Sequence, residues 1–271
     1  MPATLSCRTM GIVIVLILVL LVVGGAGLWC FHWIVEQQRN PWFKRYPRLH
    51  AAAQAGDKEE VLRLIAKGED VNEYVPWPST PLYQAALRGH MEVAKLLIEH
   101  GAKVNPFPPG ENSLPVPTPL DGAIRRGHKD IVVMLLDHGA DPNLYLPLGV
   151  AAQSDEPEIA ALLIQRGADV NGRDSSGSTA LNWASSSSLA VTLLLLAAGA
   201  QVNVKHCNGD TSLTHACTYR HERNMDIVQL LIQNGAEVNV VNNEGETALT
   251  LARKNNLMDV VDFLLKSGVK N

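Results

Sequence analysis

The sequence predicts an all-α solenoid of about seven helix-turn-helix repeats with hairpin loops, preceded by one N-terminal transmembrane helix. Three observations lead there. The stretch TPLYQAALRGHMEVAKLLIEHGAKVN, Thr80 to Asn105, returns 38 positions later as TPLDGAIRRGHKDIVVMLLDHGADPN, Thr118 to Asn143. It also stands 33 positions earlier as PRLHAAAQAGDKEEVLRLIAKGEDVN, Pro47 to Asn72. A phase-marking leucine recurs at Leu49, Leu82, Leu120, Leu148, Leu181, Leu213 and Leu249, each followed after about 19 residues by Gly68, Gly101, Gly139, Gly167, Gly199, Gly235 or Gly268. Finally, Gly11 to Val35 is almost wholly apolar. A period of this length marks one supersecondary unit that buries its apolar face only by stacking on copies of itself.

The first ten residues form a short tail carrying Arg8, and residues 11–35 form the membrane span. Its only ionisable members are Cys30 and His32, and as a helix its 25 residues reach about 37 Å, enough to cross a hydrocarbon core of about 30 Å. Trp29, Phe31 and Trp33 cluster at its far end, at the headgroup level that amphipathic rings prefer. A cleaved secretory signal is the alternative, with Ile12 to Val23 as its apolar region and Gly24-Gly25-Ala26 as the cleavage site. Against cleavage, apolar sequence resumes for nine residues after Ala26. Residues 36–45 make a basic juxtamembrane linker. Arg39, Lys44, Arg45 and Arg48 outweigh Glu36, so the charge rule favours a cytoplasmic repeat domain on a single-pass anchor.

Residues 46–271 carry the repeats. In each unit Thr80 or its counterpart caps the first helix, with Pro81 at a first position where a missing N–H costs nothing. Ala85 and Ala86 are small enough for adjacent first helices to approach closely. Val93, Leu96 and Leu97 give the second helix one apolar stripe, repeated as Ile131, Met134, Leu135 and as Ile159, Leu162, Leu163. Gly101 supplies the left-handed residue that ends the second helix, and Asn105 opens the hairpin to the next unit. The end units differ from the inner ones. Glu60 and Arg63 replace apolar stripe residues in the first repeat, and Arg253 replaces a small residue in the last, which predicts polar caps on which no further unit packs.

The T-P-L opening, the paired alanines and the glycine spacing from Tyr46 to Asn271 resemble an ankyrin-repeat array. Four departures from that pattern stand out. The connection containing PFPPGENSLPVP is five residues longer; repeat four has lost five residues, leaving LYLPL between Asn143 and Gly149; repeat five carries Ser185 to Ser188 in place of the inter-helix glycine; repeat six gains three residues in TYRHERN. These units are expected to be tilted or frayed relative to an even stack.

The chain holds no G-x-S-x-G, phosphate-binding loop or H-E-x-x-H, so no enzymatic activity, cofactor or small-molecule substrate is expected. Net charge is −4, without the long basic run that nucleic-acid binding would need. Four cysteines, two of them in or near the apolar N-terminus, are too few for a disulfide framework. His90, His128, His100 and His138 flank the repeat glycines and read as structural. His206, Cys207, His215, Cys217 and His221 gather zinc-ligand types in repeat six, but no C-x-x-C spacing fixes them and Cys217 fills the buried small-residue slot.

The resemblance implies that function resides on hairpin tips and the concave first-helix surface. That places Tyr74, Trp77, Arg88, Arg125 and Arg126 as the partner-binding candidates, with Tyr145, Tyr219, Arg220 and Lys254 further along. Tyr, Trp and Arg dominate protein–protein hot spots. The expectation is therefore a membrane-anchored scaffold that binds an acidic segment of another protein, the alternative being a secreted or periplasmic regulator or inhibitor.

Overall fold

The computed structural model of the chain describes residues 47–74, 80–106, 117–218 and 224–268. The span expected at 11–35, the linker at 36–45, Trp77, Tyr219, Arg220 and His221 lie outside these residues. Among the described residues no helix is long and apolar enough to cross a membrane.

Fourteen helices are described, in seven pairs: α1 (Arg48–Ala55), α2 (Lys58–Ala66), α3 (Pro81–Arg88), α4 (Met91–Glu99), α5 (Pro119–Ile124), α6 (Lys129–Asp137), α7 (Pro147–Gln153), α8 (Pro157–Gln165), α9 (Ala180–Ala184), α10 (Leu189–Ala197), α11 (Ser212–Thr218), α12 (Asn224–Gln233), α13 (Ala248–Lys254) and α14 (Met258–Lys266). All seven marker leucines are no more than 2 % exposed. Each sits at or near the start of a first helix, and together they form the spine of one continuous core. The stripes of α4 and α6 are buried in full; in α8, Ile159 and Leu163 are buried and Leu162 is half-buried.

Capping chemistry explains where the first helices begin. Thr80 accepts from Tyr83 N, while Thr118 with Asp121, Thr179 with Asn182 and Thr247 with Thr250 form reciprocal boxes. The second helices stop at glycines such as Gly101, whose φ of 87° is strained for any residue with a Cβ.

From repeat two onward, neighbouring first helices pack together more extensively than neighbouring second helices. Small residues make this possible. A Cβ on Gly122 of α5 would lie 3.1 Å from the Tyr83 ring of α3. The first helices therefore take the inner side of the stack.

Side-chain amides then join the units. Asn72 Nδ2 donates to Gly101 O, and Lys103 N donates back to Asn72 Oδ1. Asn105, Asn143, Asn171 and Asn203 repeat the same two-way bond to the following unit. A second set of bonds runs at the inter-helix turns. His90 Nε2 donates to Gln54 O, Ser187 Oγ to Ala152 O and Asn255 Nδ2 to Cys217 O.

The hairpins contain no strand ladder among the described residues, only an isolated bridge between Arg173 and Thr179. Their turns are closed by bonds such as Gly177 N to Asp174 O and Gly209 N to His206 O. The serine run of repeat five is also pinned rather than frayed. Ser185 Oγ donates to Leu181 O, Ser186 and Ser187 to Trp183 O, and Ser188 caps α10 through Val191 N. Hydroxyls satisfy there the main-chain groups that a glycine turn would have left to water.

Glu60 pairs with Arg63 on α2, and Arg253 is exposed on α13.

Candidate functional site

Repeat four supplies the irregularity on the inner face. With five residues missing, the chain turns from Asn143 to Gly149 through Tyr145 and Leu146, whose φ values of 60° and 61° are both left-handed. Such torsions are uncommon for residues of this size. Leu146 replaces the usual threonine cap and provides no side-chain bond to α7. Its side chain is instead buried, at 8 % exposure.

Where the hairpin is absent, an open notch of about 460 Å³ remains among the described residues. Repeat three contributes Asp121 and Arg125, repeat four Tyr145 and Gln153, and repeat five Arg173, Asp174 and Trp183.

The two acids of the notch differ. Asp174 is fully engaged: Oδ1 accepts from Ser176 N, Ser176 Oγ and Ser178 N, and Oδ2 accepts from Trp183 Nε1 at 3.1 Å. Asp121 is 4 % exposed and half engaged. Its Oδ2 accepts from Thr118 N at 2.8 Å, whereas its buried Oδ1 has no hydrogen-bond partner. Burial pushes this carboxyl up to about 6, against the opposing pull of the Thr118 bonds and the Arg125 charge. The notch lining thus combines two exposed arginines, one unsatisfied acceptor and an indole whose own N–H is already used. It suits a polar main chain with apolar and acidic side chains.

The candidates named from sequence distribute as follows. Arg125 lies at the C-terminal cap of α5 and lines the notch; Arg126 is its neighbour, and both are exposed. Both charges act on the Tyr83 phenol, whose pKa burial nonetheless raises. Arg88 is exposed at the last position of α3, and Tyr74 is 40 % exposed before the second repeat. Trp77 is outside the described residues. Lys254 forms a 2.8 Å ion pair with Glu246. Sequence reasoning overlooked Asp121, Arg173 and Trp183. The signal available is the five-residue deletion, from which the sequence predicts only a tilted or frayed unit.

The histidine cluster of repeat six has different members from those the sequence suggested. His206, Asp210 and His215 bring ligand-type atoms within 4.8 Å of one another. Cys217 is instead fully buried, its thiol pushed up to about 12 by desolvation, and Cys207 is exposed at a turn. Asn208 N donates to His206 Nδ1. A neutral His206 therefore carries its proton on Nε2, the nitrogen 3.4 Å from Asp210 Oδ2, and that tautomer opposes metal binding at Nε2. The His215 ring packs edge-to-face on His206, with centroids 4.9 Å apart, and on Trp183 at 6.4 Å. These groups fit a packed aromatic row better than a metal centre.

Two further histidines serve the framework. His100 Nδ1 donates to Leu96 O and His138 Nδ1 to Met134 O, each closing the last turn of its helix.

Comparison with known proteins agrees with this geometry. The family model for ankyrin repeats matches residues 49–145, 145–206 and 187–271. A putative ankyrin repeat protein of Rickettsia felis is 38 % identical over 89 residues, covering 30 % of this chain and 39 % of that protein. An ankyrin repeat-containing protein of Saccharomyces cerevisiae is 39 % identical over 59 residues, covering 22 % of this chain and 12 % of that protein. Both matches thus span well under half of the relatives' lengths. The crystal structure of the human ASB11 ankyrin repeat domain superimposes with a TM-score of 0.68 at 29 % identity, covering 84 % of this chain and all of that one.

Proposed function

This chain belongs to the ankyrin-repeat family, and we propose that it is a membrane-tethered scaffold whose inner face binds an acidic segment of another protein. Ankyrin repeats form a protein–protein interaction domain, and that much follows from the family. The observation that supports the finer reading is the pair of exposed arginines at the end of α5, Arg125 lining the notch and Arg126 next to it in sequence, whose charges both act on the Tyr83 phenol. Isolated surface charges contribute little, but a preformed basic cluster beside aromatic surface steers an acidic partner and raises its on-rate. Tyr74, Trp77 and Arg88 extend the proposed surface towards the second repeat. The apolar run at 11–35 supports the tether, and the basic residues that follow it support a cytoplasmic repeat domain.

The test is capture from native membranes with the full chain as bait. Changing Arg88, Arg125 and Arg126 together to Glu should abolish recovery of the partner and leave helical circular dichroism intact. Changes at Glu237 and Lys266, outside the cluster, should have little effect. Normal capture by the triple variant would reduce the cluster to a solvated face. Recovery of a mature chain beginning at Gly27 would remove the tether from the reading.

A further inference from the structure

Asp121 in repeat three and Asn182 in repeat five occupy the same register, one residue after the marker leucine. Both close a capping box with the threonine three residues earlier. Asn182 then does something more. Its Nδ2 reaches Val204 O, just after Asn203, and Ser212 Oγ at the start of α11, both at 3.4 Å. The second arm of this residue is therefore used by the following unit. Repeat four keeps Leu144 at the register of Val204 but has Pro147, with no hydroxyl, at that of Ser212, and among the described residues Asp121 Oδ1 is left without a partner.

Neighbouring hairpin turns also bond to each other through the main chain. Cys207 N donates to Ser176 O and Asn243 N to Asn208 O, both at 2.9 Å. Repeat four contributes no turn to this row, so the hairpin of repeat five begins it with an open side.

We propose that the notch at repeat four is a binding site for an extended segment of the partner protein, which lies where the missing hairpin would lie, donates a main-chain N–H to Asp121 Oδ1 and sets an acidic side chain between Arg125 and Arg173. This rests on the protein-interaction reading above and specifies where and how the partner binds.

The chemistry selects the occupant. An ionised carboxylate only accepts, so the group facing Asp121 must be a donor, and an extended main chain presents one at every second residue. Leaving that buried oxygen unmatched costs free energy that an occupant recovers. Asp174 does not compete for the arginines, because its oxygens are held by Ser176, Ser178 and Trp183. The exposed Arg125 and Arg173 groups are thereby left facing an incoming carboxylate, and the Trp183 ring offers a neighbouring apolar side chain a wall.

A display library of linear peptides selected on the full chain in detergent supplies the probe. Enriched peptides should carry Asp or Glu next to an aliphatic or aromatic residue. For a synthetic peptide of the enriched class, Asp121→Asn should weaken binding about tenfold, because the amide turns a donor towards the notch. The fold should be unaffected, since Asn182 closes the same capping box. Arg125→Glu with Arg173→Glu should also weaken binding about tenfold or more. N-methylation of the one peptide amide that meets Asp121 should reduce affinity for the wild type and have no further effect on Asp121→Asn.

Peptides that bind wild type and Asp121→Asn equally would overturn the notch assignment. So would a peptide spanning residues 107–116 of this chain binding with the same dependence on Asp121 and Arg173, because the occupant would then be internal. If the native partner still depends on the Arg88, Arg125 and Arg126 cluster but not on Asp121 or Arg173, the notch assignment fails while the protein-interaction reading stands.

Discussion

Asn105 and Asp141, 36 positions apart, are joined by a 3.0 Å bond in which the Asp141 amide donates to the Asn105 side chain. The other end of the same side chain donates to Gly139 O at 2.8 Å. One primary amide thus matches both a free N–H and a free C=O at the point where the next second helix has ended. Helix ends leave such groups unsatisfied, and here the preceding unit satisfies them.

Replacing Asn105 with Ala removes both bonds and leaves two main-chain groups to solvent. The expected loss is about 1–3 kcal/mol, read from urea denaturation monitored by circular dichroism. Asn105→Asp should behave almost as badly, because a carboxylate cannot donate to Gly139 O. A midpoint unchanged in both variants would mean that water substitutes fully for the amide.

Much of the array is legible from the sequence because its determinants are local. The leucine markers, the threonine caps and the left-handed glycines each act within a turn or two of their own position. The asparagine bonds are not legible in this way: Asn143 reads as a hairpin opener, but its partners Gly167 and Asp169 lie in another repeat. The notch is harder still. The deletion in LYLPL is visible, yet the unmatched oxygen beside it belongs to Asp121, a residue that looks like an ordinary helix cap until its counterpart Asn182 is seen bonding forward.

Leu163 is fully buried in α8, on the second helix of the unit that has lost its hairpin. Truncation to Ala should cost about 2–5 kcal/mol. Leu162→Ala, at a half-buried position on the same helix, should cost clearly less. Equal costs in a denaturant titration would place the core of repeat four elsewhere.

Repeat four should also be where the array unfolds in parts. It retains the Asn143 bonds and its first- and second-helix packing but contributes no turn to the row joining repeats five to seven. In a stack stabilised by neighbour contacts, a weakened interface separates cooperative units. Native-state hydrogen exchange should show the amides of α3 to α6 and those of α9 to α14 opening with different free energies. A single opening energy for both groups would mean that the remaining interface carries full coupling.

Two buried groups give opposite responses to acid. Burial beside His206 depresses the His215 imidazole from 6.5 to about 4, whereas burial raises the Asp121 carboxyl from 3.8 to about 6. Between pH 6.5 and 4 the unfolded chain protonates His215 and the folded chain does not, so this residue lowers stability as pH falls. Between pH 6 and 3.8 the folded chain protonates Asp121 first, so that residue raises stability as pH falls. The two slopes, each at most about 1.4 kcal/mol per pH unit, oppose one another from pH 6 to 4. His215→Leu, which places there the residue type that Leu251 supplies in repeat seven, should leave the Asp121 slope uncovered and make the variant gain on the wild type as pH falls. Asp121→Asn should do the reverse and lose stability more steeply than the wild type over the same range. Guanidinium titrations at half-unit steps of pH read both slopes, and parallel curves for the wild type and His215→Leu would show that His215 is protonated in the folded protein.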